Sequence, residues 1–150
     1  HASDTQEVEG VNAFYTPDQL HEMLGLCDYV VLSVPLTRET EKMIGEAELR
    51  AMRPNVYLVN IARGRVVDEQ ALIRALKEGW IAGAGLDVTA EEPLPADSPL
   101  YSMPNVILTP HISGASVYYD SRLAALFAEN LRRYRAGEPL LNLYDAARGY

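Results

Sequence analysis

The sequence predicts an α/β fold: a partial, doubly wound parallel sheet followed by a long C-terminal helix. Three observations carry this expectation. Four short, near-continuous apolar runs rich in β-branched residues recur along the chain, helical patterns separate them, and one long amphipathic stripe follows the last. Runs of that kind mark strands buried on both faces, and their alternation with helices marks a parallel sheet.

In chain order, Thr16-Pro17-Asp18-Gln19 supplies an N-cap, a proline at the first helical position and a capping-box glutamine, with Gly25 as the stop. The first strand follows in "DYVVLSVP", Asp28 to Pro35, and "GEAELRAM" reads as the next helix. "VYLVNIA", Val56 to Ala62, is the second strand. Asp68 then caps a helix through "EQALIRALKEG", which buries Ala71, Leu72, Ala75 and Leu76 and ends at Gly79. "IAGAGLDV", Ile81 to Val88, and "VILTPHI", Val106 to Ile112, complete the strands. Beyond them Leu123, Phe127, Asn130, Leu131 and Tyr134 share one helical stripe that stops at Gly137. The closing "EPLLNLYDAARGY" reads as an irregular tail whose Leu140, Leu141, Leu143 and Tyr144 need a surface to cover.

Composition narrows the function classes. The 150 residues, 48% hydrophobic and 23% charged, suit one soluble domain with a real core. A net charge of −8 with no Lys/Arg run argues against a nucleic-acid partner. The apolar runs are too short to cross a bilayer, and "HASDTQEVEG" has no signal-peptide pattern. Cys27 is the single cysteine, so no intrachain disulfide forms and a cytoplasmic setting is expected. The three histidines and one cysteine show no metal-ligand spacing.

Ligands of open α/β sheets bind beyond the carboxyl ends of the strands, so the residues there carry the chemistry. Arg63 follows the second run, with Gly64 letting the backbone turn. A guanidinium there can grip a carboxylate through two parallel hydrogen bonds, or it can be a plain surface arginine. Asp87 ends the third run and can accept from a ligand amide or cap the next turn. Glu91 and Glu92 precede Pro93, a pattern also common in ordinary loops. His111 follows Pro110, which cannot donate to a ladder, so the imidazole enters the crevice region. Alone, that histidine is either a proton donor or a satisfied residue at a strand end. Together, arginine, carboxylate and histidine after separate strands supply a substrate clamp, a tuning partner and a proton donor, a set suited to reduction of a 2-oxo acid.

Several blocks extend this combination: "CDYVVLSVPLTRETEKMIG", "LVNIARGRVVDEQAL", "IAGAGLDV", "EEPLPADSPL", "PNVILTPHISGAS" and "NLRRYRAGEPLLN". In this order they resemble the D-isomer-specific 2-hydroxyacid dehydrogenases, a family that includes glyoxylate and hydroxypyruvate reductases. The resemblance implies a Rossmann-type fold, an NAD or NADP cofactor and a small 2-oxo or 2-hydroxy acid substrate. It places the catalytic arginine on Arg63, the glutamate on Glu92 rather than Glu91, and the histidine on His111. It further implies that Pro35, Ile61, Ala62, Arg63, Asp87, His111 and Gly114 line the cofactor, with Asp87 at the nicotinamide amide. Thr89 and Ala90 stand where many members carry an aromatic and an acidic residue, and Ser113 replaces a common alanine.

The family's G-x-G-x-x-G loop is absent, since Gly83-Ala84-Gly85 is followed by Val88 at the third position, within a strand. The expectation is therefore a fragment. Residues 1–112 would form the later half of a dinucleotide-binding domain. Residues 113–150 would form a helix and tail returning to a substrate domain outside this chain. A homodimer is expected, as in the family. The alternative from another class is a non-catalytic binding or scaffold protein on the same fold, similar to the family's corepressor relatives.

Overall fold

Local signals set the ends of the helices. Gln19 Oε1 accepts the Thr16 backbone N–H at 3.1 Å, and the turn Pro17–Gln19 leads into α1, Leu20–Leu24, which stops at Gly25. Glu48 reaches back to the Gly45 N–H at 2.9 Å and opens α2, Glu46–Ala51. Asp68 Oδ1 accepts the Ala71 N–H at the start of α3, Glu69–Glu78. Gly79 closes α3 with φ 71°, a left-handed conformation that glycine adopts without steric cost. The long helix α4, Tyr119–Ala136, ends the same way at Gly137, φ 68°.

In the computed structural model, which describes residues 8–146, these helices connect a four-stranded sheet of order β1-β2-β3-β4. The strands are β1, Tyr29–Leu32; β2, Tyr57–Asn60; β3, Gly83–Leu86; and β4, Val106–Leu108, all parallel. Val30 pairs with Leu58 and Leu58 with Ala84, so one row of side chains crosses the sheet. That row meets Leu24 of α1, Leu49 of α2 and Leu72, Ala75 and Leu76 of α3 in a single buried cluster.

One expectation is corrected here. The strands are not all buried on both faces: β1 alternates exposed and buried positions, with Val31 57% and Ile107 of β4 73% accessible, whereas β3 is buried at three of its four positions. The reason is that α1, α2 and α3 share one core cluster and so cover the same face, while no residue of α4 is buried. On the uncovered face the rings of Tyr29 and Tyr57 stack at 5.9 Å. Tyr57 also lies over Gly83, where a Cβ would meet its ring at 2.9 Å.

The stripe on α4 forms as expected but stays exposed, Phe127 at 69%. The tail is irregular and folds back on the helix end. Asn130 receives the Leu141 N–H at 2.8 Å and donates to the Leu141 carbonyl at 3.1 Å, while Arg132 joins Glu129 to Glu138. Residues 1–7, part of the N-terminal stretch checked for a signal pattern, and the last four of the tail lie outside the described residues. Among the described residues no helix is long and apolar enough to cross a membrane.

Gly64 tests the fit between the loops after β2 and β3, because a Cβ there would overlap the Thr89 carbonyl and the Ala90 amide. Gly64→Ala is expected to lower unfolding stability in urea by about 3 kcal/mol. Gly114→Ala, with nothing within 4 Å of the added carbon, is expected to stay within about 0.5 kcal/mol of the parent.

Candidate active site

The site is built from two buried polar residues at adjacent strand ends. Asn60 and Asp87 are the buried polar side chains among the described residues, 1% and 5% accessible. At that depth neither can rely on water, so each must find partners in the protein. Both find them in turns that carry candidate functional residues.

Asn60 ends β2. Its Oδ1 accepts the Ala62 N–H at 3.0 Å and its Nδ2 donates to the Arg63 carbonyl at 3.1 Å. The turn of Arg63 is thereby fixed by the last residue of the strand. The guanidinium is exposed and donates to the Ala62 carbonyl at 2.7 Å.

Asp87 follows β3 and captures three successive amides of the turn after β4. Its carbonyl accepts the His111 N–H, its Oδ1 the Ile112 N–H and its Oδ2 the Ser113 N–H, each at 2.9 Å. Thr109 Oγ1 donates to the same Oδ1 at 2.5 Å. Burial alone would raise the Asp87 carboxyl. The bonds from the Ser113 side chain, Thr109 and the two amides outweigh it and hold the group far below the usual carboxylate range. The backbone of His111 is left-handed, φ 55°, which costs energy in a residue with a Cβ. Every residue from 111 to 120 is exposed, so apolar packing does not hold this turn in place. The bonds to Asp87 do.

Glu92 completes the constellation. Its Oε2 lies 2.7 Å from His111 Nδ1, and its Oε1 accepts the Thr89 N–H at 3.2 Å. His111 and Glu92 side chains are 46% and 39% accessible, which leaves them open to a ligand. The hydrogen bond from His111, aided by the Thr89 amide and the Arg63 charge and opposed by burial, holds the Glu92 carboxyl below its ordinary value. Glu69 steadies the loop by accepting the Ala90 N–H at 2.9 Å. His111 Nε2 has no hydrogen-bond partner among the described residues.

Three concavities meet at these side chains. One of about 540 Å³ has Arg63, His111 and Gly114 in its wall. A second, about 660 Å³, runs from Ser33 to Leu36 and across Ile61, Ala62 and Arg63. The third, about 550 Å³, lies beyond the His111–Glu92 pair against Leu94 and Tyr101. Arg63 thus joins the first two, and His111 joins the first and third.

The sequence-derived residues divide accordingly. Pro35, Ile61 and Ala62 line one crevice with Arg63, and Gly114 lies with Arg63 and His111 in the next. Glu92, rather than Glu91, reaches the histidine. Asp87 has its carboxylate on the chain's own turn. Sequence reasoning passed over Asn60 and Glu69. The signal for Asn60 was an amide side chain at the last position of an otherwise apolar strand.

Two carboxyls held below their usual range make stability depend on acid. Such groups contribute stability fully above their unfolded value, about 4, and lose it as pH falls through the folded value. The urea midpoint is therefore expected to be level near neutral pH and to fall steadily below about pH 4. Asp87→Asn, less stable at neutral pH, is expected to show a shallower acid decline.

Comparison with known proteins fits this geometry. The family model described as D-isomer specific 2-hydroxyacid dehydrogenase, NAD binding domain, matches residues 1–113. A glyoxylate reductase of Korarchaeum cryptofilum is 53% identical over 131 residues, 87% of this chain and 39% of that protein. One of Thermococcus gammatolerans is 55% identical over 130 residues, 87% of this chain and 38% of that protein. The chain thus spans about two fifths of the length of these curated relatives. Among solved structures, a D-isomer specific 2-hydroxyacid dehydrogenase from Xanthobacter autotrophicus, in complex with NADPH and MES, superposes with TM-score 0.89 at 42% identity, covering 98% of this chain and 60% of that one. An NADPH-dependent glyoxylate/hydroxypyruvate reductase from Sinorhizobium meliloti, in complex with NADP and sulfate, gives 0.88 at 30% identity, covering 98% and 47%. The chain belongs to the D-isomer specific 2-hydroxyacid dehydrogenase family and carries residues of its NAD binding domain.

Proposed function

We propose that this chain is the cofactor-side part of an NAD(P)-dependent reductase of small 2-oxo acids, of the glyoxylate and hydroxypyruvate type. The observation that carries the proposal is the His111–Glu92 pair at 2.7 Å, with His111 sharing a concavity with Arg63. Curated relatives that are glyoxylate reductases, and similar structures holding NADPH or NADP, support the same reading.

The residues fit a nicotinamide. The crevice of Pro35, Ile61 and Ala62 offers a largely apolar wall for a flat ring, and Gly114 presents no side chain to its approach. Arg63 lines the same crevice, and His111 shares the adjoining concavity with it. The pyrophosphate would need the G-x-G-x-x-G loop, which these residues do not include. When bound, the nicotinamide supplies the hydride.

The chain's own residues do the rest. Arg63 grips the substrate carboxylate and so turns the neighbouring carbonyl toward His111. His111 gives a proton from Nε2 to the oxygen that becomes the hydroxyl. Glu92 accepts from Nδ1, fixing the ring's orientation. The hydrogen bond from His111, aided by the Thr89 amide and the Arg63 charge, keeps Glu92 itself ionised. In this reading the exposed stripe of α4 packs on a substrate domain outside this chain, and the assembly is a homodimer.

In the full-length protein, assayed with NADPH and glyoxylate, His111→Ala is expected to lower kcat by about 10²–10⁴-fold. Arg63→Gln is expected to raise KM for the oxo acid by on the order of tenfold or more. Wild-type turnover from His111→Ala would remove the proton-donor role.

A further inference from the structure

The concavity of about 540 Å³ shared by Arg63 and His111 has a second wall, at the start of α4, formed by Ser116, Tyr119 and Asp120. Asp120 is the one carboxylate among the residues that line it. Its side chain is exposed and meets no hydrogen-bond or ion-pair partner among the described residues, Arg63 included. One concavity thus holds a guanidinium and a carboxylate that do not neutralise each other.

We propose that Asp120 selects the substituent of the oxo acid: its carboxylate accepts a hydrogen bond from a donor such as a 3-hydroxyl and turns away a second carboxylate. This deepens, and rests on, the roles proposed above for Arg63 and His111. Three groups surround the carbonyl carbon of a 2-oxo acid. Arg63 takes the carboxylate and His111 the oxygen, so the substituent is left to meet the remaining wall, where Asp120 stands. A carboxylate only accepts, so it rewards a hydroxyl and gives a methyl group nothing. A bond of this charge-assisted kind is worth on the order of tenfold or more in binding. A carboxymethyl substituent would instead bring two anions together, which is strongly unfavourable. Ser116 and Tyr119 offer hydroxyls that both donate and accept, so the sign of the selection comes from Asp120. The competing account is that Asp120 serves only its helix, since a carboxylate in the first turn complements the positive end of the macrodipole.

The two accounts separate in the full-length protein, assayed with NADPH and three oxo acids that differ only at the substituent: pyruvate, hydroxypyruvate and oxaloacetate. The parent is expected to favour hydroxypyruvate over pyruvate in kcat/KM by on the order of tenfold or more. Asp120→Ala is expected to lower that ratio by on the order of tenfold. Asp120→Asn, which keeps the size and removes the charge, is expected to raise oxaloacetate relative to pyruvate by on the order of tenfold. Ratios taken on one preparation cancel the folded fraction. A role confined to the helix would therefore lower all three rates together and leave the ratios in place. That result, or a parent that reduces oxaloacetate as well as it reduces hydroxypyruvate, overturns the proposal.

Calorimetry gives a second readout that needs no turnover. In the presence of NADP, D-glycerate is expected to bind the parent on the order of tenfold more tightly than D-lactate, and Asp120→Ala to remove that preference. Equal binding of the two acids by the parent, or a preference that survives Asp120→Ala, also overturns the proposal. If the preference follows Asp120 but His111→Ala leaves catalysis intact, the proton-donor role fails and the selection stands. If His111→Ala abolishes turnover while the parent binds both acids alike, the dehydrogenase reading stands and the selection by Asp120 falls.

Discussion

A polar side chain buried at the end of a β-strand must be satisfied by whatever backbone lies within reach, and that constraint organises this molecule. Asn60 and Asp87 sit side by side at the carboxyl ends of β2 and β3, bonded through the Asp87 amide and the Asn60 carbonyl. The groups within reach are the amides and carbonyls of the turns that follow β2 and β4. Satisfying the buried groups therefore fixes the turns, and the turns carry Arg63 and His111. Leaving either group unpaired would cost roughly 1–3 kcal/mol, more for the charged one, so the arrangement is held by the same energy that holds the fold.

The consequence is a candidate site whose proposed functional side chains are exposed and whose supports are buried. His111 and Glu92 face solvent and meet each other at 2.7 Å, while the bonds that set the His111 backbone run to a carboxylate with 5% exposure. Gly64 adds a second brace, bringing the Arg63 turn into backbone contact with the loop that leads to Glu92. Such a division leaves these side chains accessible while their backbone stays anchored. It also ties the geometry of the site to the charge on Asp87, and hence to acid.

Much of this was legible in the sequence. The four apolar runs became the four parallel strands, and Asp68, Gly79 and Gly137 bounded helices as their chemistry dictates. Arg63, Glu92 and His111 stood out because each follows a strand end. Other features were not legible. Asp87 was open between a ligand contact and the cap of the next turn, yet its carboxylate serves amides 25 and 26 positions away, across a whole strand. No local pattern encodes such a partner. Asn60 was hidden by the apolar run that it ends. Burial on both faces was expected from β1 and β4 because Tyr29, Val31 and Ile107 are apolar. The helices described here cover only the other face.

The most direct measurement is amide hydrogen exchange at Ala62, Ile112 and Ser113, read by NMR. Ile112 and Ser113 lie in an exposed turn without apolar cover, so an unanchored chain would exchange them at nearly the rate of a free loop. Bonds to buried Asn60 and Asp87 are expected to slow all three amides to rates comparable with the strand ends, and Asp87→Asn is expected to release Ile112 and Ser113 while sparing Ala62. Fast exchange of Ile112 and Ser113 in the unmodified protein would contradict the anchoring of the His111 turn by Asp87.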